Sequence, residues 1–204
     1  MAEHPLPRQR QTVVDLARRI VDPQFLRPTA ALAGATAALS VGVGFLPVTG
    51  AADGLGTIAT GAAVSLLAAS AAIAQPRAGR ALDAGKLTTR AGIALGLGLA
   101  AAGFVCAALP GLAFLLVSAV LIGIGTGVIT PLGFAALAAS TPPERLGQTM
   151  GTAELGRELG DAGGPLLVAT VATIGALDAG YLTLAVILAV APVVFLVTLH
   201  RVRS

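Results

Sequence analysis

Charged residues are scarce in this 204-residue sequence, in which Asp, Glu, Lys and Arg together make up 11%. A soluble domain carries about 25% charged residues, because it must present a wetted surface to the solvent. The hydrophobic share is 55%, and the mean hydropathy is +0.87. The apolar residues fall in runs of about 20, the length at which an α-helix crosses the hydrocarbon core of a bilayer. The shortage of charge excludes a soluble domain and predicts an all-α integral membrane protein.

Cysteine and histidine are almost absent. The single cysteine, Cys106, excludes an internal disulfide, and we interpret it as a small packing residue within an apolar run. The two histidines, His4 and His200, lie at opposite ends of the chain, with no Cys or carboxylate at metal-ligand spacing. The serines of the apolar runs have no intramembrane His or Lys to activate them as nucleophiles. We therefore expect no metal, no cofactor and no enzymatic activity.

Aromatic residues make up 3% of the chain, with no tryptophan and one tyrosine. We place this residue, Tyr181, where the last apolar run meets a membrane interface. Trp and Tyr normally enrich both interfaces, so the usual aromatic belt is almost missing. The shortage also removes the rings on which flat solutes stack.

Six apolar runs are long enough to span a membrane. We predict spans at 29–50, 55–76, 91–110, 112–139, 150–175 and 179–199, with bounds accurate to about two to four residues. Glycines recur inside the first, third and fourth runs, where they would allow the helix backbones to approach closely.

The basic residues indicate the orientation of these spans. All 13 Lys and Arg residues fall on the same side of the predicted spans. Five precede the first span and four lie in the connection after the second. Arg145 and Arg157 flank the start of the fifth span, and the last two follow the sixth. The remaining connections carry only Asp53 and Asp178. Basic residues are retained on the cytoplasmic side, so both termini are predicted to be cytoplasmic, in a bacterial plasma (inner) membrane. Basic loops at a membrane surface also explain the pI near 10.0 without a nucleic-acid partner.

The polar residues before the first span form a separate segment. Within 11–21, apolar residues repeat at helical spacing, and Pro23 follows. We interpret 11–21 as an amphipathic helix on the cytoplasmic membrane surface, and a flexible tail is the alternative. The predicted domains are thus a cytoplasmic segment at 1–28, a six-helix membrane domain at 29–200, and a cytoplasmic tail at 201–204.

Four charged residues lie at the start of the fifth span: Glu154, Arg157, Glu158 and Asp161. Their spacing of three and four places them on one face of a helix, where Arg157 can pair with Glu154 or Asp161. Charges this close to hydrocarbon suggest a functional site. A solvated helix end is the alternative for Glu154 and Glu158. Asp161 lies a turn deeper, which favours a gating or proton-linked role for it.

Three motifs resemble those of the major facilitator superfamily of secondary transporters. Residues 156–165, Gly-Arg-Glu-Leu-Gly-Asp-Ala-Gly-Gly-Pro, are similar to the family's Gly-x-x-x-Gly-Pro element at the start of its eleventh helix. Residues 143–151 resemble the loop that leads into that helix, and residues 75–86 resemble a degenerate form of the Gly-x-x-x-Asp loop between the second and third helices of each half. The resemblance covers about 25–200 and favours the C-terminal half. An N-terminal half is the alternative, but the fourth span lacks the arginine usual there.

The resemblance implies a fold and a set of site residues. Family members usually have twelve spans and hold their substrate between two six-helix halves, so this chain would resemble one half and build one cavity wall. The resemblance implies a helix-packing motif at Gly156, Gly160, Gly164 and Pro165, and a gating role for Asp83. The candidate cavity-lining side chains on the first and fourth spans are Thr36, Ser40, Thr126 and Thr130.

Two functions fit these expectations. The first is a secondary transporter or half-transporter of a small solute, an exporter included, which works by alternating access and pairs with a second copy or with a separate N-terminal half. The second is a non-transporting membrane protein, either a vestigial or truncated half or an assembly partner of another subunit.

Overall fold

The computed structural model describes residues 22–201, with side chains described for 22–192. Over that range the chain forms six long α-helices and one short 3-10 helix at Pro143–Arg145, and it has no β-strand. The predicted all-α fold is confirmed. The helices are α1 Pro23–Ala52, α2 Thr57–Asp83, α3 Thr89–Ala107, α4 Leu112–Ala139, α5 Leu146–Ile174 and α6 Leu177–Arg201.

Four of these helices, α1 to α4, are long and apolar enough to cross a membrane by length and composition. The fifth helix is long enough, but the four charged residues of the predicted cluster lie between its second turn and its middle. In α6 the described side chains form a shorter apolar stretch, Leu177–Pro192. The charged residues of α5, and not its length, therefore separate it from the four helices that are apolar enough to cross a membrane.

The helices extend beyond the predicted spans at the ends that carry the basic residues. The carboxylate of Asp22 caps α1, because its Oδ1 accepts a hydrogen bond of 2.9 Å from the Gln24 N–H. The second helix continues through Pro76 to Asp83, so the Gly-x-x-x-Asp motif is mostly helical and only 84–88 connect it to α3. The predicted surface helix at 11–21 and residues 202–204 lie outside the described residues.

Two pairs of parallel helices pack through small residues. A Cβ atom added to Gly160 would lie 2.8 Å from the Cα of Ala33, and one added to Gly164 would lie 2.8 Å from the Cα of Ala37. The contacts advance by four residues in the same direction on both helices, so α1 and α5 run parallel. The second pair, α2 and α4, is built in the same way, with Gly123 and Gly127 of α4 against residues 67–74 of α2. Small residues at such contacts replace the hydrophobic driving force that lipid does not provide.

The third and fourth helices run antiparallel and also meet at glycines. A Cβ on Gly96 would lie 2.7 Å from the carbonyl oxygen of Gly125, and a Cβ on Gly125 would lie 2.8 Å from the Ala100 nitrogen. These contacts, with those of α2 and α1, surround α4 on three sides. As a result α1 and α4 form the centre of the bundle, α2 and α5 flank them, and α3 packs against α6 behind them.

Tyr181 lies near the start of α6, at the end of the bundle where the sequence predicts a membrane interface, but its side chain is turned into the bundle. Its side chain is fully buried, its ring centroid lies 5.8 Å from that of Phe104, and its hydroxyl is 2.7 Å from the Thr49 hydroxyl. The hydrogen bond explains how a phenol is accommodated inside the apolar core. Tyr181 therefore joins α1, α3 and α6.

The connections fall into two groups at opposite ends of the bundle. At one end, which we call the basic end, the capping residue Asp22 and Phe25 of α1 share a cavity with Thr141 and Thr149 beside the α4–α5 connection. At the opposite end, Asp53 Oδ2 accepts a 2.7 Å hydrogen bond from the N–H of Gly111, which joins the α1–α2 and α3–α4 connections. Gly111 has a φ of 105°, a conformation that favours glycine at this tight entry into α4.

Candidate functional site

Polar side chains from α1 and α5 meet along one seam beside α4. The Thr36 hydroxyl lies 3.1 Å from the carbonyl oxygen of Arg157, and it also donates to the Leu32 carbonyl oxygen at 2.8 Å on its own helix. One turn further along, the Ser40 hydroxyl donates to Oδ1 of Asp161. Thr36 and Ser40 were both candidates from the sequence, and the structure places them against the charged segment of α5.

The glycines of the helix-packing motif explain why this seam can form. Gly156, Gly160 and Gly164 bring the backbone of α5 against Thr29, Ala33 and Ala37 of α1. Pro165 follows inside the same helix. With the two backbones this close, a short serine hydroxyl on α1 can reach a short aspartate carboxylate on α5.

Asp161 lies close to the middle of the bundle. With a rise of 1.5 Å per residue, it is about 20 Å from the Ile174 end of α5, and half the hydrocarbon thickness is about 15 Å. Its side chain is exposed in the isolated chain, apart from the contact with Ser40. An acidic group at this depth normally faces protein or a water-filled cavity.

Arg157 pairs with Glu154 and not with Asp161. Its Nη1 lies 2.9 Å from both carboxylate oxygens of Glu154, and the two side chains are 28% and 48% exposed. The guanidinium carbon is 5.7 Å from the centre of the Phe134 ring on α4, within the range of a cation–π contact. Arg157 is therefore held by α4 as well as by its own helix, and Asp161 is left with a hydroxyl as its described partner.

The remaining candidates lie apart from the seam. Glu158 is exposed on α5, and Asp83 is exposed at the end of α2. Thr126 is 3% exposed and donates to the Ile122 carbonyl oxygen, and Thr130 donates to the Thr126 carbonyl oxygen. Serine and threonine hydroxyls in helices often bond their own backbone in this way. The gating, proton-linked and cavity-lining roles of all these residues stay predictions.

Metal binding has no support within the described part of the chain, where no three His, Cys, Asp or Glu residues are close enough to hold an ion. Two residues at important contacts were missed from the sequence. Phe134 was missed because one phenylalanine in an apolar helix carries no periodic signal. Thr49 was missed because its partner, Tyr181, is 132 residues away.

Comparison with known proteins agrees with this geometry. Residues 27–204 match the sequence profile of the Major Facilitator Superfamily. A 62-residue stretch is 40% identical to the multidrug resistance protein B homolog of Mycobacterium tuberculosis, in both strain CDC 1551 / Oshkosh and strain ATCC 25618 / H37Rv. The matched stretch covers 30% of this chain and 12% of that relative.

The fold also matches a crystal structure of the peptide transporter POT in complex with sulfate, with a TM-score of 0.68 and 22% identity. The match covers 86% of this chain and 37% of the transporter. The six helices of this chain therefore correspond to a part of that longer transporter.

Proposed function

The chain belongs to the Major Facilitator Superfamily and is a multi-pass membrane protein, and we propose that it forms one six-helix half of a secondary transporter. The half would provide one wall of a cavity that holds a small solute and opens alternately to the two sides of the membrane. The name of the multidrug resistance relative supports export as the direction of transport.

The contact between Ser40 and Asp161 is the observation that carries this proposal. It places an exposed carboxylate near the middle of two long helices, on the seam between α1 and α5 and beside α4. A purely structural helix gains little from an acidic group at this depth, because its insertion costs free energy. A proton-linked or gating role for Asp161 accounts for its position, and Thr36 and Ser40 would contribute hydroxyls to the cavity wall.

The other charged candidates have supporting roles in this proposal. The Arg157–Glu154 pair and its contact with Phe134 would hold the charged segment of α5 in place. Glu158 and Asp83 would face the second half, Asp83 at the cytoplasmic gate. Thr126 and Thr130 remain candidates for the wall in other conformations, in which α4 rotates.

The partner would be a second copy of the chain or a separate N-terminal half. The two flanking helices support such a partner, because α5 buries three residues and α2 buries six, against twelve in α4. With the basic end on the inner side, both termini would be cytoplasmic and the protein would reside in the bacterial plasma membrane. The segments at 1–28 and 201–204 would lie on that side.

A non-transporting protein is the second candidate function. It would be a vestigial half, or an assembly partner that stabilises another subunit through the exposed faces of α2 and α5. Exposed faces of α2 and α5 that no second half covers would favour this alternative. An adjacent reading frame that encodes six helices with the family's N-terminal motifs would favour a split transporter instead.

Flux measurements with a matched pair of variants test the proposal. The chain is reconstituted into proteoliposomes with an imposed proton gradient, and ethidium and dialanine serve as probes. We expect gradient-driven flux of at least one probe, with the rate reduced at least tenfold by Asp161→Asn and changed less than twofold by Asp178→Asn. Asp178 is a suitable control because it is exposed in the first turn of α6, away from the seam.

The outcomes separate the two functions. Equal rates for the two variants would contradict the role of Asp161. Absence of flux for both probes would support the non-transporting alternative. Flux by a demonstrated monomer in the proteoliposomes would contradict the need for a second half.

A further inference from the structure

The two flanking helices, α2 and α5, each leave one face uncovered by the rest of the described chain. The uncovered face of α5 carries large apolar side chains that are 66–87% exposed: Leu155, Leu159, Leu166 and Ile174. Between Ile58 and Ile73, the uncovered face of α2 is lined mainly by small side chains: Ala62, Ser65, Ala69 and Ala72. Small residues allow a neighbouring membrane helix to approach closely. The two faces are therefore complementary in shape.

The same two faces carry opposite charges toward the basic end. On the exposed end of α2, Arg77 and Arg80 outnumber Asp83. On α5, Glu158 is exposed, and the single arginine of that helix is already paired with Glu154. Among the described side chains, neither Glu158 nor the two arginines of α2 form an ion pair. Each face thus carries charge of the sign that the other lacks.

The first helix shows how the depths of α2 and α5 correspond, because it contacts both. Gly160 of α5 lies against Ala33 of α1, and a Cβ added to Gly42 of α1 would lie 2.7 Å from Cδ1 of Leu67 on α2. The consecutive helices α1 and α2 run antiparallel. The stretch of about nine residues from Gly42 back to Ala33 is therefore matched by about nine residues of α2 beyond Leu67. Gly160 is thus about level with residue 76.

Glu158 lies at the depth of the two arginines. It is two residues nearer the basic end than Gly160, so it is about level with residue 78 of α2, between Arg77 and Arg80. Arginine and glutamate side chains are long enough to meet across two packed helices at this level. A partner that presents a copy of α2 to α5 would therefore pair these charges.

The distribution of charge along the sequence limits how two copies can associate. All 13 Lys and Arg residues lie on one side of the predicted spans, so every copy inserts in the same orientation. A two-fold axis between two copies must then run along the membrane normal, and this rotation leaves depth unchanged. A two-fold interface must be self-complementary, and this chain carries both members, the small basic face of α2 and the large acidic face of α5.

We propose that the partner is a second copy of this chain, with α2 of each copy packed against α5 of the other. This assignment rests on the proposed function, in which a second six-helix half covers the cavity wall. Glu158 of each copy would pair with Arg77 and Arg80 of the other, so that no carboxylate at this depth faces lipid. Leu166 of each copy would pack over Ala69 of the other. A separate N-terminal half would have to supply complements to both faces.

Disulfide cross-linking between two differently tagged chains tests this arrangement in native membranes. Both chains carry Cys106→Ala, and one carries Ala69→Cys while the other carries Leu166→Cys. We expect oxidation with copper phenanthroline to give a product that contains both tags. Ala69→Cys alone should give little product, since the two copies of α2 lie on opposite sides of the dimer. Equal cross-linking by Ala69→Cys alone would overturn the proposal, because it would place α2 against α2.

A matched control uses the exposed Leu182 of α6, which lies at about the depth of Leu166 because Gly180 packs on Val168. Leu182→Cys combined with Ala69→Cys should give roughly a tenth or less of the product, as expected for a helix on the far side of the bundle. Equal yields from Leu182→Cys and Leu166→Cys would indicate random collision and would overturn the specific contact.

Charge reversal tests the ion pairs, with the dimer dissociation constant measured by energy transfer between labelled chains in lipid vesicles. Glu158→Arg and Arg80→Glu should each raise this constant by at least about tenfold, because like charges then meet at both seams of the dimer. The two changes in one chain should restore most of the affinity, a rescue that a misfolded variant cannot show. Unchanged affinity in the single variants, or no rescue, would overturn the pairing. A chain that does not self-associate would also overturn it, while leaving a separate N-terminal half and the proposed transport in place.

Discussion

Gly160 and Gly163 lie three residues apart in α5, and they allow a sharp test of how α1 and α5 pack. A Cβ at Gly160 would lie 2.7 and 2.8 Å from the carbonyl carbon and Cα of Ala33, and closer still to its oxygen. A Cβ at Gly163 would have no atom within 4 Å. The two glycines therefore share a helix but differ in what a methyl group would meet.

The magnitude follows from the nature of the atoms in contact. The neighbours of Gly160 are backbone atoms of α1, which can move only if the two helices separate. Overpacking of this kind costs about 1–3 kcal/mol. Gly160→Ala should therefore destabilise the protein by about that amount, and Gly160→Leu by at least as much. Gly163→Ala should be neutral or stabilising by up to about 1 kcal/mol, because alanine is the better helix former.

The assay is reversible unfolding in mixed micelles, followed by the helical circular dichroism signal, with both single variants measured under identical conditions. Helix separation should also weaken the contact between Ser40 and Asp161, since both changes act on the same seam. Equal stabilities for Gly160→Ala and Gly163→Ala would refute the close packing of α1 on α5. Such a result would place the 160 face of α5 toward lipid.

Two further predictions concern the opposite end and the topology. Tyr181→Phe should lower the free energy of unfolding by about 0.5–1.5 kcal/mol, because it removes the hydrogen bond to Thr49. In a double-mutant cycle with Thr49→Val, the double variant should lose less stability than the sum of the two single losses. Additive single effects would argue against the bond. Reporter fusions should show an external location at Asp53, Gly111 and Asp178 and a cytoplasmic location at Gly85 and after Ser204. An external reporter at the end of the chain would contradict six membrane crossings.

The number and order of the helices were predictable from sequence because each helix is marked by its own composition. Hydrocarbon requires about 20 apolar residues per span, and every connection interrupts that pattern with polar or small residues. The end of α2 was not predictable in the same way. Pro76 and the arginines after it suggested a loop, but the helix continues through Pro76, which removes a single backbone donor, to Asp83.

The partners of the charged residues were only partly predictable. Sequence spacing allowed Arg157 to pair with Glu154 or with Asp161, because both lie on the same helix face. The choice depends on Phe134 of α4 and Ser40 of α1, which are distant in sequence from α5. The same limit applies to Tyr181, whose hydroxyl is satisfied by Thr49, a residue that is distant in sequence.

Burial and charge in α5 together favour a covered site over a face open to lipid. This 29-residue helix buries only Ala153, Gly164 and Val168, yet Glu158 and Asp161 lie about 24 and 20 Å from its Ile174 end, within the depth of the hydrocarbon. A carboxylate near the membrane centre costs about 2.5–3.5 kcal/mol when lipid faces it. Asp161 is the group nearer the centre, and Glu158, about one turn closer to the basic end, would add a smaller cost. We therefore expect these groups to face water in a cavity or a second six-helix half, and either arrangement gives the seam between α1 and α5 access to a solute.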